Sequence, residues 1–155
     1  LNFMPGYKGH LNGGLVIGAL LVGVAVVTGY LSRDPMQLAL LMGFCLLGAL
    51  FPDIDTDSKG QNLFYSGLII IDGYLIYLQH YRWAAWVGLF SMLPALGHHR
   101  GWTHTWWAML VVPLPIVIVP YLFFNGYGLG TFKNYYMAFA LGYFSHLLLD
   151  RKFTL

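Results

Sequence analysis

The sequence has little charge and only one cysteine. Charged residues make up 9% of its 155 residues and hydrophobic residues 58%, whereas an ordinary soluble domain is roughly 25% charged. A soluble globule this poor in charge could not cover its surface with polar groups. Because Cys45 has no second cysteine to pair with, an internal disulfide is excluded. The composition excludes a soluble enzyme, a disordered tail and a secreted disulfide scaffold, and it predicts an integral membrane protein.

Glutamate is absent, so the acidic residues are six aspartates. A charge at membrane depth is costly, and each aspartate therefore requires a structural or functional reason. The formal net charge is only +2, and no basic run is longer than Arg151-Lys152. The chain thus lacks the basic footprint of a nucleic-acid-binding protein. The partner that we expect is the lipid bilayer, with no nucleic acid.

Six apolar stretches approach the length of about 20 residues that a membrane-spanning helix needs. They cover residues 13–31, 36–51, 63–79, 83–97, 102–124 and 135–149. We predict an all-α protein, a polytopic transmembrane bundle of about six short spans, in one integral membrane domain over residues 1–155. Because the second, fourth and sixth stretches are short, five spans or a re-entrant segment is the alternative.

The unusual polar residues fall on one side of this predicted topology. They are His10 before the first span, Asp53 and Asp55 after the second, His99, Arg100 and His104 between the fourth and fifth, and His146 and Asp150 at the end of the sixth. The opposite side shows no clustering of histidine with aspartate. The clustered side also has slightly more lysine and arginine, so the positive-inside rule predicts that it is cytoplasmic.

Imidazole and carboxylate groups in this number are typical of a metal site. They suit divalent zinc, manganese and iron, with zinc as our first expectation. His146 and Asp150 share one helix face, so either both bind metal or Asp150 orients His146. Asp53 and Asp55 would face one site if their stretch is extended. Since the candidates exceed the four of a closed zinc site, we expect one or two ions, with the following ligands: His10, Asp53, Asp55, His99, His104, His146 and Asp150.

Hydrolysis at the membrane surface is the chemistry that this set favours. A bound divalent ion lowers the pKa of a water molecule towards about 7. Asp55 would accept the proton, and the planar guanidinium of Arg100 would hold the developing anionic oxygens. The location favours a lipid-like ester or phosphoester as substrate.

Three other readings of the sequence remain open. Metal transport would use Asp72 as a station inside the membrane. Histidines at helix ends also ligate haem or chlorophyll. Finally, the chain would be a non-catalytic metal-binding or structural subunit of a larger membrane protein complex.

Four motifs resemble those of the YdjM-type inner-membrane metal-dependent hydrolases, a family with a LexA-associated member. The motifs are Gly9-His10, residues 51–55 (FPDID), residues 99–104 (HRGWTH) and residues 142–146 (GYFSH) together with Asp150. The resemblance implies a multi-pass protein of the bacterial inner membrane with a metal-dependent hydrolase site at the histidines and aspartates of these motifs. Some members carry a histidine directly after the aspartate pair, where this chain has Thr56.

Overall fold

A computed structural model describes residues 6–55, 59–92, 102–123 and 129–150, and within these ranges the chain forms helices and turns without a β-strand. The all-helical prediction is confirmed. The α-helices of the described ranges are α1 (Tyr7–Val27), α2 (Pro35–Leu50), α3 (Lys59–Tyr77), α4 (Tyr81–Met92), α5 (Trp106–Val111), α6 (Pro115–Phe123) and α7 (Leu129–Asp150), and two short 3₁₀ helices cover Phe51–Asp55 and Trp102–His104.

The helices overlap the six apolar stretches, with the following differences. The first helix begins at Tyr7, six residues before the predicted start, and therefore includes His10, which was predicted to precede the span. The fifth stretch holds both α5 and α6, because Pro113 and Pro115 lack the backbone N–H that an unbroken helix would need there. The helix of the sixth stretch, α7, starts at Leu129, earlier than the predicted residue 135, and so includes Lys133 and Asn134. Charged and amide side chains are compatible with a helix end near the membrane surface.

Three helical segments are long and apolar enough to cross a membrane: Tyr7–Val27, Pro35–Ile54 and Trp106–Phe123. By contrast, α4 has 12 residues and is therefore about 18 Å long at 1.5 Å per residue. This is less than the hydrocarbon thickness of about 30 Å. The described part of the fourth stretch is thus too short to span by itself.

Two helix starts follow from local sequence. The carboxylate of Asp34 accepts hydrogen bonds from the backbone N–H groups of Met36 and Gln37, at 3.3 and 3.2 Å, and Pro35 occupies the first turn of α2. Both features stabilise a helix N-terminus. The hydroxyl of Thr105 caps α5 in the same way. These caps fix where α2 and α5 begin.

The centre of the bundle is formed by α2, which packs against both α1 and α7. Gly14 and Gly18 of α1 are buried against α2, and their small size allows the two helices to approach closely. The contact of α2 with α7 is tighter still. A methyl group at Gly48 would overlap the carbonyl of Phe139, and one at Gly142 would overlap the carbonyl of Cys45. The two backbones therefore lie in direct contact.

One end of the bundle gathers α1 and α5 at their N-termini and α2 and α7 at their C-termini. A buried aromatic cluster lies just inside this end. Phe51 is its centre, with ring centroids 5.8 Å from those of Phe64, Phe139 and Tyr143. Burial of these large aromatic rings stabilises this end of the bundle. The polar residues described next lie at the same end.

Candidate metal centre

Five of the predicted ligands meet at this end of the bundle. His10 comes from the first turn of α1, Asp53 from the 3₁₀ helix after α2, His104 from the 3₁₀ helix before α5, and His146 and Asp150 from the last turns of α7. The four segments are far apart in the sequence. The predicted convergence of histidine and aspartate at one face is confirmed.

His104 and His146 each point Nε2 at both carboxylates. The Nε2 atom of His146 lies 3.3 Å from Asp150 Oδ2 and 3.5 Å from Asp53 Oδ1. The Nε2 atom of His104 lies 3.5 Å from Asp150 Oδ2 and 3.8 Å from Asp53 Oδ1. Each of these four residues offers one ligand atom, and the four atoms lie within 4.8 Å of one another, so that they can hold a metal ion.

His10 approaches the same carboxylates from beside His146. Its ring stacks on that of His146, with centroids 3.7 Å apart and an angle of 16° between the planes. Its Nε2 atom lies 3.3 Å from Asp150 Oδ1 and 4.0 Å from Asp53 Oδ2. His10 therefore faces Asp150 Oδ1 and Asp53 Oδ2, whereas His104 and His146 face the other oxygen of each carboxylate.

The tautomer of His146 is fixed by the backbone of α2. Its Nδ1 atom lies 2.7 Å from the carbonyl oxygen of Ala49, and because a carbonyl only accepts, Nδ1–H must donate. In the neutral ring the lone pair is then on Nε2, the nitrogen that faces the carboxylates. A ligand histidine in metal proteins is commonly held by such a hydrogen bond from its other nitrogen.

The segment that carries His104 is held from two sides. Thr103 Oγ1 lies 3.2 Å from His104 Nδ1. The hydroxyl of Tyr143, on α7, donates to the backbone carbonyl of Thr103. Since Thr103 and Tyr143 are both fully buried, His104 is positioned by a well-packed support.

The residues present fit a divalent metal. The Nε2 atom of His146 is buried and makes no hydrogen bond within the described residues, although two carboxylates lie close by. Donor atoms around a tetrahedral zinc ion with bonds of about 2.0–2.1 Å lie about 3.3–3.4 Å apart. The shortest imidazole–carboxylate separations, 3.3–3.5 Å, match this spacing. Three imidazoles and two carboxylates are also a donor set that divalent transition metals prefer.

Among the described residues of the cluster, Asp53 and His104 are the most exposed to solvent. The side chains of Asp53 and His104 are 23% and 14% exposed, whereas those of His10 and His146 are 2% and 0% exposed. A water molecule or substrate would therefore approach past Asp53 and His104. The stacked pair of histidines forms the closed wall of the cluster.

Three predicted site residues are not part of this geometry. His99, Arg100 and the side chain of Asp55 lie outside the described residues. The expected extended stretch at Asp53 and Asp55 is wrong, because residues 51–55 form a 3₁₀ helix. In such a helix, with three residues per turn, positions two apart lie about 120° apart around the axis. Alternation along a strand therefore does not bring these two aspartates to one site.

Sequence reasoning missed the groups that hold the ligands. The carbonyl of Ala49 and the side chains of Thr103 and Tyr143 contact the histidines or their segments. A backbone carbonyl leaves no signal in a sequence. Thr103 and Tyr143 belong to the quoted motifs, and this position was the only signal that could have identified them.

Comparison with known proteins agrees with a membrane protein. Neither the curated proteins nor the solved structures gave a match. The family described as YdjM inner membrane protein matches residues 8–152, which include all five clustered residues. An integral membrane location follows from this match and from the apolar helices. The chain belongs to the YdjM inner membrane protein family.

Proposed function

We propose that this protein is a metal-dependent hydrolase that acts at the membrane surface on a lipid-like ester or phosphoester. The observation that carries the proposal is the meeting of three imidazoles and two carboxylates at one end of an apolar helical bundle. Each imidazole Nε2 atom lies 4.0 Å or less from an oxygen of each carboxylate. When bound there, a divalent ion, with zinc as the best candidate, would supply an activated water molecule and polarise a phosphoryl or carbonyl oxygen.

The described residues have distinct roles in this proposal. His146, His104, Asp53 and Asp150 would hold the ion, because their ligand atoms lie closest together. Asp53 and His104 border the exposed side, so a substrate would reach the ion past these two ligands. The backbone carbonyl of Ala49 would accept a hydrogen bond from Nδ1–H of His146, which leaves Nε2 of the neutral ring to bind the ion.

Two further roles rest on the sequence. Asp55 would accept the proton of the attacking water, and Arg100 would stabilise the anionic oxygens with its planar fork of donors. The excess of lysine and arginine on the clustered side supports placing the site at the cytoplasmic face of the inner membrane. A substrate that reaches this site is amphiphilic, since the cluster lies at the ends of lipid-exposed helices.

The test is hydrolysis by the purified full chain, loaded with zinc or manganese in detergent, against a panel of phosphoesters, carboxylic esters and phospholipids. We expect turnover of at least one class, and a loss of at least about 100-fold in Asp53→Asn and His146→Gln. Asp34→Asn is the matched control for the first variant, because asparagine keeps the helix cap at the opposite end of α2. His80→Gln, at an exposed histidine, controls for the second.

Turnover that survives in both site variants would refute the proposed site. Stoichiometric metal without turnover of any substrate class would instead favour a non-catalytic metal-binding subunit.

A further inference from the structure

In each of the two carboxylates, one oxygen faces His104 and His146 and the other oxygen faces His10. Asp53 directs Oδ1 at His104 and His146 and Oδ2 at His10. Asp150 directs Oδ2 at His104 and His146 and Oδ1 at His10. A carboxylate that binds one ion through one oxygen does not need its second oxygen to face another histidine. When both carboxylates place one oxygen towards His104 and His146 and the other towards His10, each is arranged as a bridge between two cations.

The stacking of His10 on His146 favours two metal-ion positions over a single one. The lone pair of an imidazole nitrogen lies in the ring plane, and the two ring planes are inclined by only 16°, with centroids 3.7 Å apart. A single ion bonded to both Nε2 atoms could not lie in both ring planes. Two ions, each held by one of the two rings, would fit the lone pairs better, as in two-metal hydrolytic sites.

The seven donor atoms of the cluster can also be assigned to two metal-ion positions. His104, His146, Asp53 Oδ1 and Asp150 Oδ2 provide four donors, which is the number of a closed tetrahedral site. His10, Asp53 Oδ2 and Asp150 Oδ1 provide three, which leaves coordination positions for water or substrate.

We propose that the site is dinuclear, with Asp53 and Asp150 as bridging carboxylates, His104 and His146 at one position and His10 at the other. This inference rests on the proposed metal-dependent function and adds the number of ions and the assignment of each histidine. In it, His10 is a ligand of the position with the open coordination sites, although it belongs to the buried wall of the cluster.

The experiment is manganese loading of the purified full chain, with elemental analysis for stoichiometry and electron paramagnetic resonance for coupling between ions. We expect about two equivalents in the wild type, with a spectrum broadened by spin coupling through the carboxylates. His10→Gln should retain about one equivalent with the spectrum of an isolated ion. His80→Gln should match the wild type in both measurements.

One equivalent with an isolated-ion spectrum in the wild type would overturn the dinuclear proposal and leave the proposed hydrolase standing. Two coupled equivalents in His10→Gln would overturn the assignment of His10. Failure of the wild type to bind any manganese on loading would overturn the proposed function as well. If His10→Gln does not fold, the coupling measured in the wild type still decides between one ion and two.

Discussion

The hydroxyl of Tyr143 donates a hydrogen bond to the backbone carbonyl of Thr103, and this bond joins α7 to the 3₁₀ helix that carries His104. Both residues are fully buried. His146 lies one turn further along the same α7 helix, three residues after Tyr143. One helix thus places His146 and Asp150 directly and His104 through a hydrogen bond.

We therefore expect Tyr143→Phe to weaken metal binding without removing a ligand. Loss of this buried hydrogen bond should cost about 1–2 kcal/mol of stability. Looser placement of His104 should lower metal affinity by about 10- to 100-fold, as for other residues that support ligands. Metal titration and thermal unfolding in detergent measure the two effects.

Tyr136→Phe is the matched control for this variant. Its hydroxyl also donates to a carbonyl across helices, to Leu110 at 2.9 Å, but in an exposed position away from the cluster. Its metal affinity should equal that of the wild type. Equal affinities in all three proteins would show that the Tyr143 bond does not position His104.

Metal removal should destabilise the protein. A ligand that binds only the folded state adds about 2.7 kcal/mol at a free concentration of 100 times its Kd. A chelator should therefore lower the thermal midpoint, and added zinc or manganese should restore it. Asp53→Asn and Asp150→Asn should show neither response, since each lacks a carboxylate shared by the histidines. A midpoint that the chelator leaves unchanged in the wild type would argue against metal in the cluster.

Alanine at Gly142 should disrupt the contact of α2 with α7. Its Cβ would overlap the backbone carbonyl of Cys45, and backbone cannot move aside as a flexible side chain can. Overpacking of this kind costs about 1–3 kcal/mol or more. Because α7 carries His146 and Asp150, metal affinity should fall together with the midpoint.

Gly43→Ala is the comparison for that substitution. Gly43 lies in α2, and a methyl group there meets no atom of the described chain within 4 Å. We expect a change in stability of less than about 1 kcal/mol, towards stabilisation. If Gly142→Ala unfolds no more easily than Gly43→Ala in the same detergent, the close contact of α2 with α7 does not contribute to stability.

Asp72 should be independent of the metal centre. It lies in α3 about 20 Å along the helix from Lys59, at 1.5 Å per residue. It borders a small cavity of about 70 Å³ together with Tyr65 and Ser91. Asp72→Asn should therefore keep the wild-type metal stoichiometry and hydrolysis rate. A loss of metal-dependent growth in cells carrying this variant would instead support transport through the bundle.

The sequence by itself determined the class of the protein and the end of the bundle at which its polar residues meet. Too little charge is present to cover a soluble surface, so apolar stretches of nearly spanning length must form helices that satisfy their own backbone groups in lipid. Alternate crossing directions then place residues before odd spans and after even spans on one side. This rule brought His10, Asp53, His104 and Asp150 to one face without any knowledge of lateral packing.

The tertiary structure decided how the helices lie beside each other and which atoms face which. The stacking of His10 on His146 depends on the lateral order of α1, α2 and α7, which hydrophobic periodicity does not encode. The direct backbone contact at Gly48 and Gly142 depends on their partners across the interface. The 3₁₀ helix at residues 51–55 replaced the extended stretch because local hydrogen bonding overrode the strand-like alternation of its aspartates. Ligand types and their side of the membrane are properties of the chain, whereas distances between ligand atoms arise only from packing.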